Sequence, residues 1–221
     1  MRHKSPSALF NVLVAALLAV TVLVPQTLRA QTPDAQKTAT KKIMVFGDSL
    51  VAGYGLPFGD AFPAQLEARL KADGYDIAVI NAGVSGDTTS AGLTRLDWSL
   101  SQNPDYFILV LGANDMLRQV DPAVTRANLD KIVEKVRAKN IPVLIAGMRT
   151  YSNLGAAAPG SLEKIYRDVA AAHGALLYPF YLDGVALDAK YNLDDGMHPN
   201  KQGIAIIVDK IYADVKKLIA N

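Results

Sequence analysis

The 221-residue chain contains no cysteine and only three histidines. Without cysteine it can form no disulfide bond, carry no cysteine-linked lipid anchor and use no thiol nucleophile. No two histidines form an H-x-x-x-H pair, and neither a Walker A pattern nor a G-x-S-x-G motif occurs. These absences argue against a zincin-type metal site, a P-loop nucleotide site and the nucleophile elbow of α/β-hydrolases. We therefore expect neither a bound metal nor a cofactor.

The chain also lacks a strong excess of charge of either sign. Its 23 Lys and Arg and its 21 Asp and Glu give a net charge of +2, but three of the basic residues and none of the acidic ones lie in residues 1–30. The remaining residues carry 20 basic and 21 acidic side chains, a net charge of −1. This balance gives no indication of a nucleic-acid-binding surface, and we expect no nucleic-acid partner.

Residues 1–30 have the layout of a secretory signal peptide. A short basic start precedes the apolar run Val12–Val24, and the segment ends on the small residue Ala30. We predict cleavage after Ala30 and export to the periplasm or the medium, without stable membrane insertion of the mature chain. An uncleaved anchor is the alternative, although the apolar run is shorter than the ~20 residues of a full membrane span. Residues 31–41 are predicted to be a flexible leader and residues 42–221 the folded domain.

The apolar run Ile43–Phe46 leads directly into Gly47-Asp48-Ser49-Leu50. An unbroken apolar run of this length is typical of a strand buried on both faces of a parallel sheet. Gly47 permits a sharp turn of the backbone. The turn would place Ser49 just beyond the carboxyl end of the strand, where open α/β sheets bind their ligands. The alternative is that Asp48 and Ser49 only cap a following helix.

The rest of the chain alternates short apolar runs with amphipathic segments. Further strands are predicted at Ile77–Ile80, Tyr106–Leu111, Pro142–Ala146 and Ala175–Tyr178, with helices between them and after the last. This alternation predicts an α/β fold in three layers, in which helices cover both faces of a five-stranded parallel sheet. The stretch Gly147–Gly160 has no period and is predicted to be a loop suited to walling a substrate.

Only two histidines, His173 and His198, lie beyond the predicted signal peptide. His173 ends a predicted helix before Gly174, where an imidazole commonly caps the last turn. His198 lies in a turn three residues after Asp195, and the following proline keeps it out of helical geometry. A serine nucleophile needs such a base, and a carboxylate on the other ring nitrogen would hold the imidazole. We therefore predict a Ser49–His198–Asp195 relay, against the alternative that His198 and Asp195 only furnish a surface turn.

Hydrolysis through a serine also requires hydrogen-bond donors for the oxyanion of the tetrahedral intermediate. Polar loops follow the second and third predicted strands and contain Gly86 and Asn114. The candidate donors are the backbone N–H groups of Ser49 and Gly86 and the side-chain amide of Asn114. The alternative for Gly86 and Asn114 is that each is an ordinary turn residue.

Four motifs, GDSL, SGDT, GAND and DGMHP, occur in this order along the chain. Together they resemble the SGNH (GDSL-type) hydrolase family, and the longer stretches SGDTTSAGLTRL and LGANDMLR are most similar to its exported bacterial arylesterases and thioesterase/lysophospholipases. The resemblance runs from about Ile43 to the C-terminus and implies a flavodoxin-like sandwich that acts as a serine esterase. The residues it implies are Ser49 as the nucleophile, Asp195 and His198 as the relay, and Gly86 and Asn114 as oxyanion donors.

The substrates that this resemblance implies are aryl or short-chain acyl esters, with acyl thioesters, lysophospholipids and acetylated carbohydrates as alternatives. A flavodoxin-like module that binds a flavin or a nucleotide is the best non-enzymatic alternative. It is disfavoured because Asp48 stands where a phosphate would need amides and hydroxyls. The glycines of Gly53-Tyr54-Gly55 and Gly59 also miss the dinucleotide-binding spacing. Met148 and Leu154 could line an acyl pocket or only pack against their neighbours.

Overall fold

The computed structural model describes residues 40–149 and 161–221. The predicted signal peptide, most of the predicted leader and residues 150–160 of the predicted loop, Leu154 included, lie outside these ranges. The described residues form five strands and seven α-helices. The strands are β1 Lys41–Gly47, β2 Ile77–Gly83, β3 Tyr106–Val110, β4 Val143–Ala146 and β5 Leu176–Tyr178. The helices are α1 Ser49–Ala52, α2 Phe62–Ala72, α3 Thr89–Leu100, α4 Ala113–Leu117, α5 Pro122–Arg137, α6 Leu162–His173 and α7 Lys201–Ala220.

All five strands belong to one parallel sheet in the order β2-β1-β3-β4-β5. β1 and β3 lie next to each other inside the sheet, and from Ile43 to Gly47 and from Phe107 to Val110 every residue is buried. Burial on both faces explains why these segments are unbroken apolar runs in the sequence. The predicted α/β fold with a five-stranded parallel sheet is confirmed.

The helices cover both faces of the sheet. The chain moves one way across the sheet from β1 to β2 and the opposite way from β2 to β5, so right-handed crossovers place α2 on one face and α3, α5 and α6 on the other. α3, α5 and α6 pack side by side, and α7 packs against α2. None of the helices within residues 40–149 and 161–221 has the length and apolar character needed to cross a membrane.

The register of the sheet aligns the ends of three strands. Gly47, the last residue of β1, is paired with Gly83 at the end of β2 and with Val110 at the end of β3. The loops that follow these strands therefore begin at one level on the same edge of the sheet. This edge is where Ser49, Gly86 and Asn114 lie.

Some local features differ from the sequence-based expectation. The sequence predicts loops where α1 and α4 form, because helices of four or five residues are too short to show a 3.6-residue period. β1 begins at Lys41, the last residue of the predicted leader. The imidazole of His173 lies 2.8 Å from the carboxylate of Asp130 on α5, while Gly174 caps α6 in the left-handed conformation. Met148 is buried in the core, so packing is the correct alternative for this residue.

Gly83 ends β2 against the backbone of α1. A Cβ added at Gly83 would lie 2.2 Å from the backbone nitrogen of Ala52. We expect Gly83→Ala to lower the free energy of unfolding by about 1–3 kcal/mol, because α1 or the sheet must shift to admit the methyl group. Gly59→Ala is the control, since a Cβ at Gly59 would meet nothing within 4 Å. Equilibrium urea unfolding measures both variants, and equal stabilities would contradict the close packing of α1 on β2.

Candidate active site

Ser49 is the first residue of α1 at the carboxyl end of β1. The preceding Asp48 caps this helix, because its carboxylate accepts the N–H of Leu50 at 3.0 Å. The capping alternative is therefore correct for Asp48, and it leaves the hydroxyl of Ser49 available. Asp48 and Leu50 are buried whereas Ser49 is partly exposed, so the turn presents the serine at the edge of the sheet.

His198 is held by a compact turn, residues 192–199, whose ends pair as an antiparallel bridge. Gly196 has a φ of 70°, a left-handed conformation that glycine adopts without strain. One carboxylate oxygen of Asp195 accepts the backbone N–H groups of Met197 and His198 at 2.9 and 3.0 Å. These two bonds orient the carboxylate independently of the imidazole.

The structure brings Ser49, His198 and Asp195 together, although Ser49 and His198 are 149 positions apart. Nδ1 of His198 lies 2.6 Å from Oδ2 of Asp195, and Nε2 lies 2.9 Å from Oγ of Ser49. Because an ionised carboxylate only accepts, Nδ1 carries the proton that this contact requires. Nε2 of a neutral imidazole is then an acceptor for the serine hydroxyl. This arrangement is able to remove a proton from Ser49.

Asp195 stays ionised at all pH values near neutrality. The backbone N–H groups of His198 and Met197 and then the imidazole lower the pKa of its carboxyl from 3.8 to about 2. A carboxylate in this position favours the imidazolium form, which appears when His198 accepts a proton.

Asn114 lies in the first turn of α4 and bridges the loops that follow β1 and β2. Its Nδ2 donates to the carbonyl of Asp87 at 3.0 Å and to the carboxylate of Asp48 at 3.2 Å. Asn114 is therefore a helical residue and not the ordinary turn residue of the alternative interpretation. The two contacts hold the amide between Asp48, which precedes Ser49, and Asp87, which follows Gly86.

Gly86 has a φ of 86°, and its carbonyl accepts Nη2 of Arg118 at 2.8 Å. Within residues 40–149 and 161–221, the backbone N–H groups of Gly86 and Ser49 donate to no acceptor. Unpaired N–H groups of this kind are what an oxyanion site requires. The structure thus places Gly86 and Asn114 in one cavity wall with Ser49, whose own N–H is the third predicted donor.

Four of the five predicted site residues, all but Asp195, share the wall of one cavity of about 490 Å³. Ser49, Gly86, Asn114 and His198 contribute to this wall together with Asp48, Ser85 and Gly196. The rest of the lining is largely apolar and consists of Leu50, Tyr54, Ala113, Met116, Leu117, Leu182, Ala186, Leu187 and Met197. The polar residues of the cavity wall thus include Ser49 and its neighbours, while the apolar part of the wall suits a hydrocarbon or aromatic group.

Sequence reasoning does not identify Tyr54 and Leu187 as site residues. The ring of Tyr54 lies 4.5 Å from the imidazole of His198 between centroids, tilted by 35°. Its position five residues after Ser49 is a signal that the sequence does contain. Leu187 has no such signal, because its place in the wall depends on the turn after β5.

The described residues contain no group of three or more His, Cys, Asp or Glu side chains arranged to hold a metal ion. Polar side chains near Ser49 pair with one another, as Asp195 does with His198 and Asp48 does with Asn114.

The sequence matches the model of the GDSL-like Lipase/Acylhydrolase family over residues 45–206, more than half of the chain. The chain belongs to this family. It is 35% identical to the arylesterase of Vibrio mimicus over 185 residues, which cover 83% of this chain and 92% of that protein. It is 34% identical to thioesterase 1/protease 1/lysophospholipase L1 of Escherichia coli (strain K12) over 182 residues, which cover 82% and 86%.

Among solved structures, the SGNH-hydrolase family esterase AlinE4 is 41% identical and superposes with a TM-score of 0.67, covering 80% of this chain and 96% of AlinE4. The resemblance to SGNH hydrolases is thereby confirmed, and this member of the GDSL-like family is a carboxylic ester hydrolase. The non-enzymatic flavin- or nucleotide-binding module is set aside.

Asp48 carries a carboxyl group that is fully buried. Burial raises its pKa from 3.8 to about 6, although the N–H of Leu50 and the amide of Asn114 favour the ionised form. Between these two pH values the folded chain retains a proton that the unfolded chain has released. The contribution of Asp48 to stability therefore falls as the pH rises from about 4 to about 6.

Replacing Asp48 by Asn should remove this pH dependence. We expect the free energy of unfolding of Asp48→Asn minus that of the wild type to rise with pH between about 4 and 6, by at most ~3 kcal/mol. Urea unfolding of both proteins at half-unit pH steps measures this difference. Asp60→Asn is the control, because the carboxylate of Asp60 does not line the cavity and pairs with Nζ of Lys201 at a distance of 3.0 Å. A difference that is flat or falls across the window for Asp48→Asn would contradict burial of an ionisable carboxyl.

Proposed function

We propose that the chain hydrolyses carboxylic esters through an acyl-enzyme on Ser49. The observation that carries the proposal is the unbroken hydrogen-bonded chain from Asp195 through His198 to Ser49 in the wall of an apolar cavity. Oγ of Ser49 attacks the carbonyl carbon while Nε2 of His198 takes the hydroxyl proton. The negative charge of Asp195 stabilises the imidazolium that results.

The oxyanion of the tetrahedral intermediate accepts hydrogen bonds from the N–H groups of Ser49 and Gly86 and from the amide of Asn114. Both N–H bonds of that amide are already engaged, so the oxyanion replaces the longer contact, the one to Asp48 at 3.2 Å. The shorter bond to Asp87 is kept and holds the amide in place. Each donor of this kind contributes about 3 kcal/mol to lowering the barrier.

Collapse of the intermediate breaks the bond to the leaving oxygen or sulfur, and the imidazolium of His198 protonates that atom. A water molecule then attacks the acyl-enzyme, with His198 again accepting the proton and returning it to Oγ of Ser49. The reaction releases the carboxylic acid and restores the hydrogen-bonded chain.

The substrates we propose are aryl and short-chain acyl esters, with acyl thioesters and lysophospholipids as further members of the class. The names of the relatives support this choice, since they are an arylesterase and a thioesterase/lysophospholipase. The apolar lining of the cavity supports it too. A carbohydrate acetyl ester would need polar partners along its length, and the cavity offers them mainly beside Ser49.

Export to the periplasm or the medium is also part of the proposal and rests on the pattern of residues 1–30. The mature chain would then meet esters outside the cytoplasm. It would be released there after cleavage, or it would stay attached to the membrane if residues 1–30 are not cleaved.

Replacing Ser49 by Ala should abolish turnover without unfolding the chain, because only one partly exposed oxygen is removed. We expect kcat for p-nitrophenyl butyrate to fall about 10⁴-fold or more. A fluorophosphonate probe should add to Ser49 of the wild type, as located by peptide mass spectrometry. Ser101→Ala, an exposed serine at the end of α3, is the control. Undiminished turnover by Ser49→Ala would refute the proposed nucleophile.

Leu187 gives a measure of how the cavity selects the acyl group. Its φ of 65° lies in the left-handed region, which costs a leucine roughly 1–2 kcal/mol, and the residue is 79% exposed. The buried Asn192 holds this turn by donating to the carbonyls of Val185 and Asp188 at 2.7 and 2.8 Å. A leucine kept in a strained turn on the cavity wall is expected to serve substrate contact rather than stability.

We expect Leu187→Asn to raise the melting temperature and to lower activity on longer acyl chains relative to short ones, because asparagine tolerates a left-handed backbone and offers no apolar surface. The ratio of kcat/KM for p-nitrophenyl octanoate to that for the acetate should fall about 5- to 20-fold. Gln119→Asn is the control, since Gln119 also has a left-handed φ, of 55°, but does not line the cavity. An unchanged ratio would show that Leu187 is not part of the acyl wall.

A further inference from the structure

Arg95, on α3, makes three directed hydrogen bonds with its guanidinium. Nε lies 2.6 Å from Oδ2 of Asp87, Nη2 donates to the carbonyl of Gly47 at 2.9 Å, and Nη1 donates to Oγ of Ser99 at 3.4 Å. The guanidinium also stacks 4.0 Å from the ring centroid of Phe46. The side chains of Arg95 and Asp87 are only 18% and 11% exposed. Partial burial makes this pair stronger and less screened by salt than a surface ion pair.

Two partners of Arg95, Gly47 and Asp87, connect it to the Ser49 turn and to the loop after β2. Gly47 precedes Asp48-Ser49, and its carbonyl also accepts the N–H of Val84 at 3.0 Å. Asp87 follows Gly86, and its carbonyl accepts the amide of Asn114. A shift of Asp87 would therefore move the N–H of Gly86 and the amide of Asn114 relative to Ser49.

Arg95 itself does not line the cavity. We propose that Arg95 is a positioning residue that fixes the spacing between the Ser49 turn and the oxyanion-binding loop 84–88. This inference rests on the proposed function, because it concerns where the oxyanion donors lie and not whether Ser49 reacts. Its energetic basis is that an oxyanion donor displaced by a fraction of an ångström no longer matches an oxygen that exists only in the transition state.

Two variants separate the hydrogen bonds of Arg95 from its charge and its packing. Arg95→Met keeps an unbranched side chain over Phe46 and removes every donor. Arg95→Lys keeps the charge but offers one nitrogen, which cannot serve the Asp87 carboxylate and the Gly47 carbonyl with the same geometry. Arg69→Met is the matched control, because Arg69 also pairs with an aspartate, Asp209 at 2.6 Å, and stacks 4.7 Å from the ring centroid of Tyr212.

The measurements use the purified chain with p-nitrophenyl butyrate and a fluorophosphonate probe. We expect Arg95→Met to lower kcat about 10- to 100-fold with KM changed less than about 3-fold, since the donors act in the transition state. The rate of fluorophosphonate labelling should fall in parallel, while the endpoint stays at one label per chain. Arg95→Lys should lie between Arg95→Met and the wild type, and Arg69→Met should match the wild type in kcat.

A purely structural Arg95 gives a different result. If Arg95→Met keeps the kcat of the wild type, or if kcat falls only in proportion to the endpoint of labelling, the inference is overturned. If Arg95→Met does not fold, Arg95→Lys decides by the same two criteria. A wild type without turnover, or turnover that survives Ser49→Ala, would refute the proposed function instead, and these outcomes do not depend on Arg95.

Discussion

The site depends on the parallel register of β1 with its two neighbours. Gly47 is paired with Gly83 on one side and with Val110 on the other, so three strands end at the same level. Ser49, Gly86 and Asn114 follow these ends by two, three and four residues, and loops this short leave little freedom. A slip of one residue in either pairing would turn the side chains of that strand to the other face and shift its loop by about 3.3 Å. The core that buries β1 and β3 therefore also sets the spacing between Ser49 and the proposed oxyanion donors.

The imidazole reaches this edge from the other end of the chain, and its turn is largely organised by its own contacts. Asp195 accepts two backbone N–H groups within the turn before it bonds to the ring of His198. The ring of Tyr54, from the loop after α1, then packs against the imidazole. Ordering His198 within its own turn lowers the entropy that must be lost when it meets Ser49. The long sequence separation thus costs less than it would for a histidine on a flexible loop.

The sequence predicts most of the frame, and of its five predicted site residues Ser49, Gly86, Asn114 and His198 line one cavity while Asp195 bonds to His198 behind the wall. Unbroken apolar runs identify the strands because a parallel sheet buries both faces, and the polar residues after each run identify the loops. What the sequence does not predict depends on distances between elements. The guanidinium of Arg95 reaches Gly47 across 48 positions, and the place of Leu187 in the cavity wall is set by the side chain of Asn192. The sequence also does not predict the short helices α1 and α4, because a single turn has no measurable period. The contacts of Arg95 and Asn192 produce no periodic signal in the sequence.

The geometry of the proposed oxyanion site is unfavourable for the resting protein, and this explains the density of polar contacts around it. The N–H groups of Ser49 and Gly86 find no acceptor among the described residues. An unpaired N–H group costs about 1–3 kcal/mol when it is fully buried and less where water reaches it. Asp48 adds the cost of a buried carboxyl whose pKa is raised to about 6. An apolar residue at Asp48 would avoid that cost but would leave the N–H of Leu50 without its acceptor and the amide of Asn114 with only the carbonyl of Asp87. Loops that carry these costs would shift to pair their polar groups unless other contacts held them. The ion pair of Arg95 with Asp87 lies where it opposes a shift of the loop after β2. The ion pair of Arg95 with Asp87 would then keep unpaired two N–H groups that a more stable arrangement of the chain would bond internally.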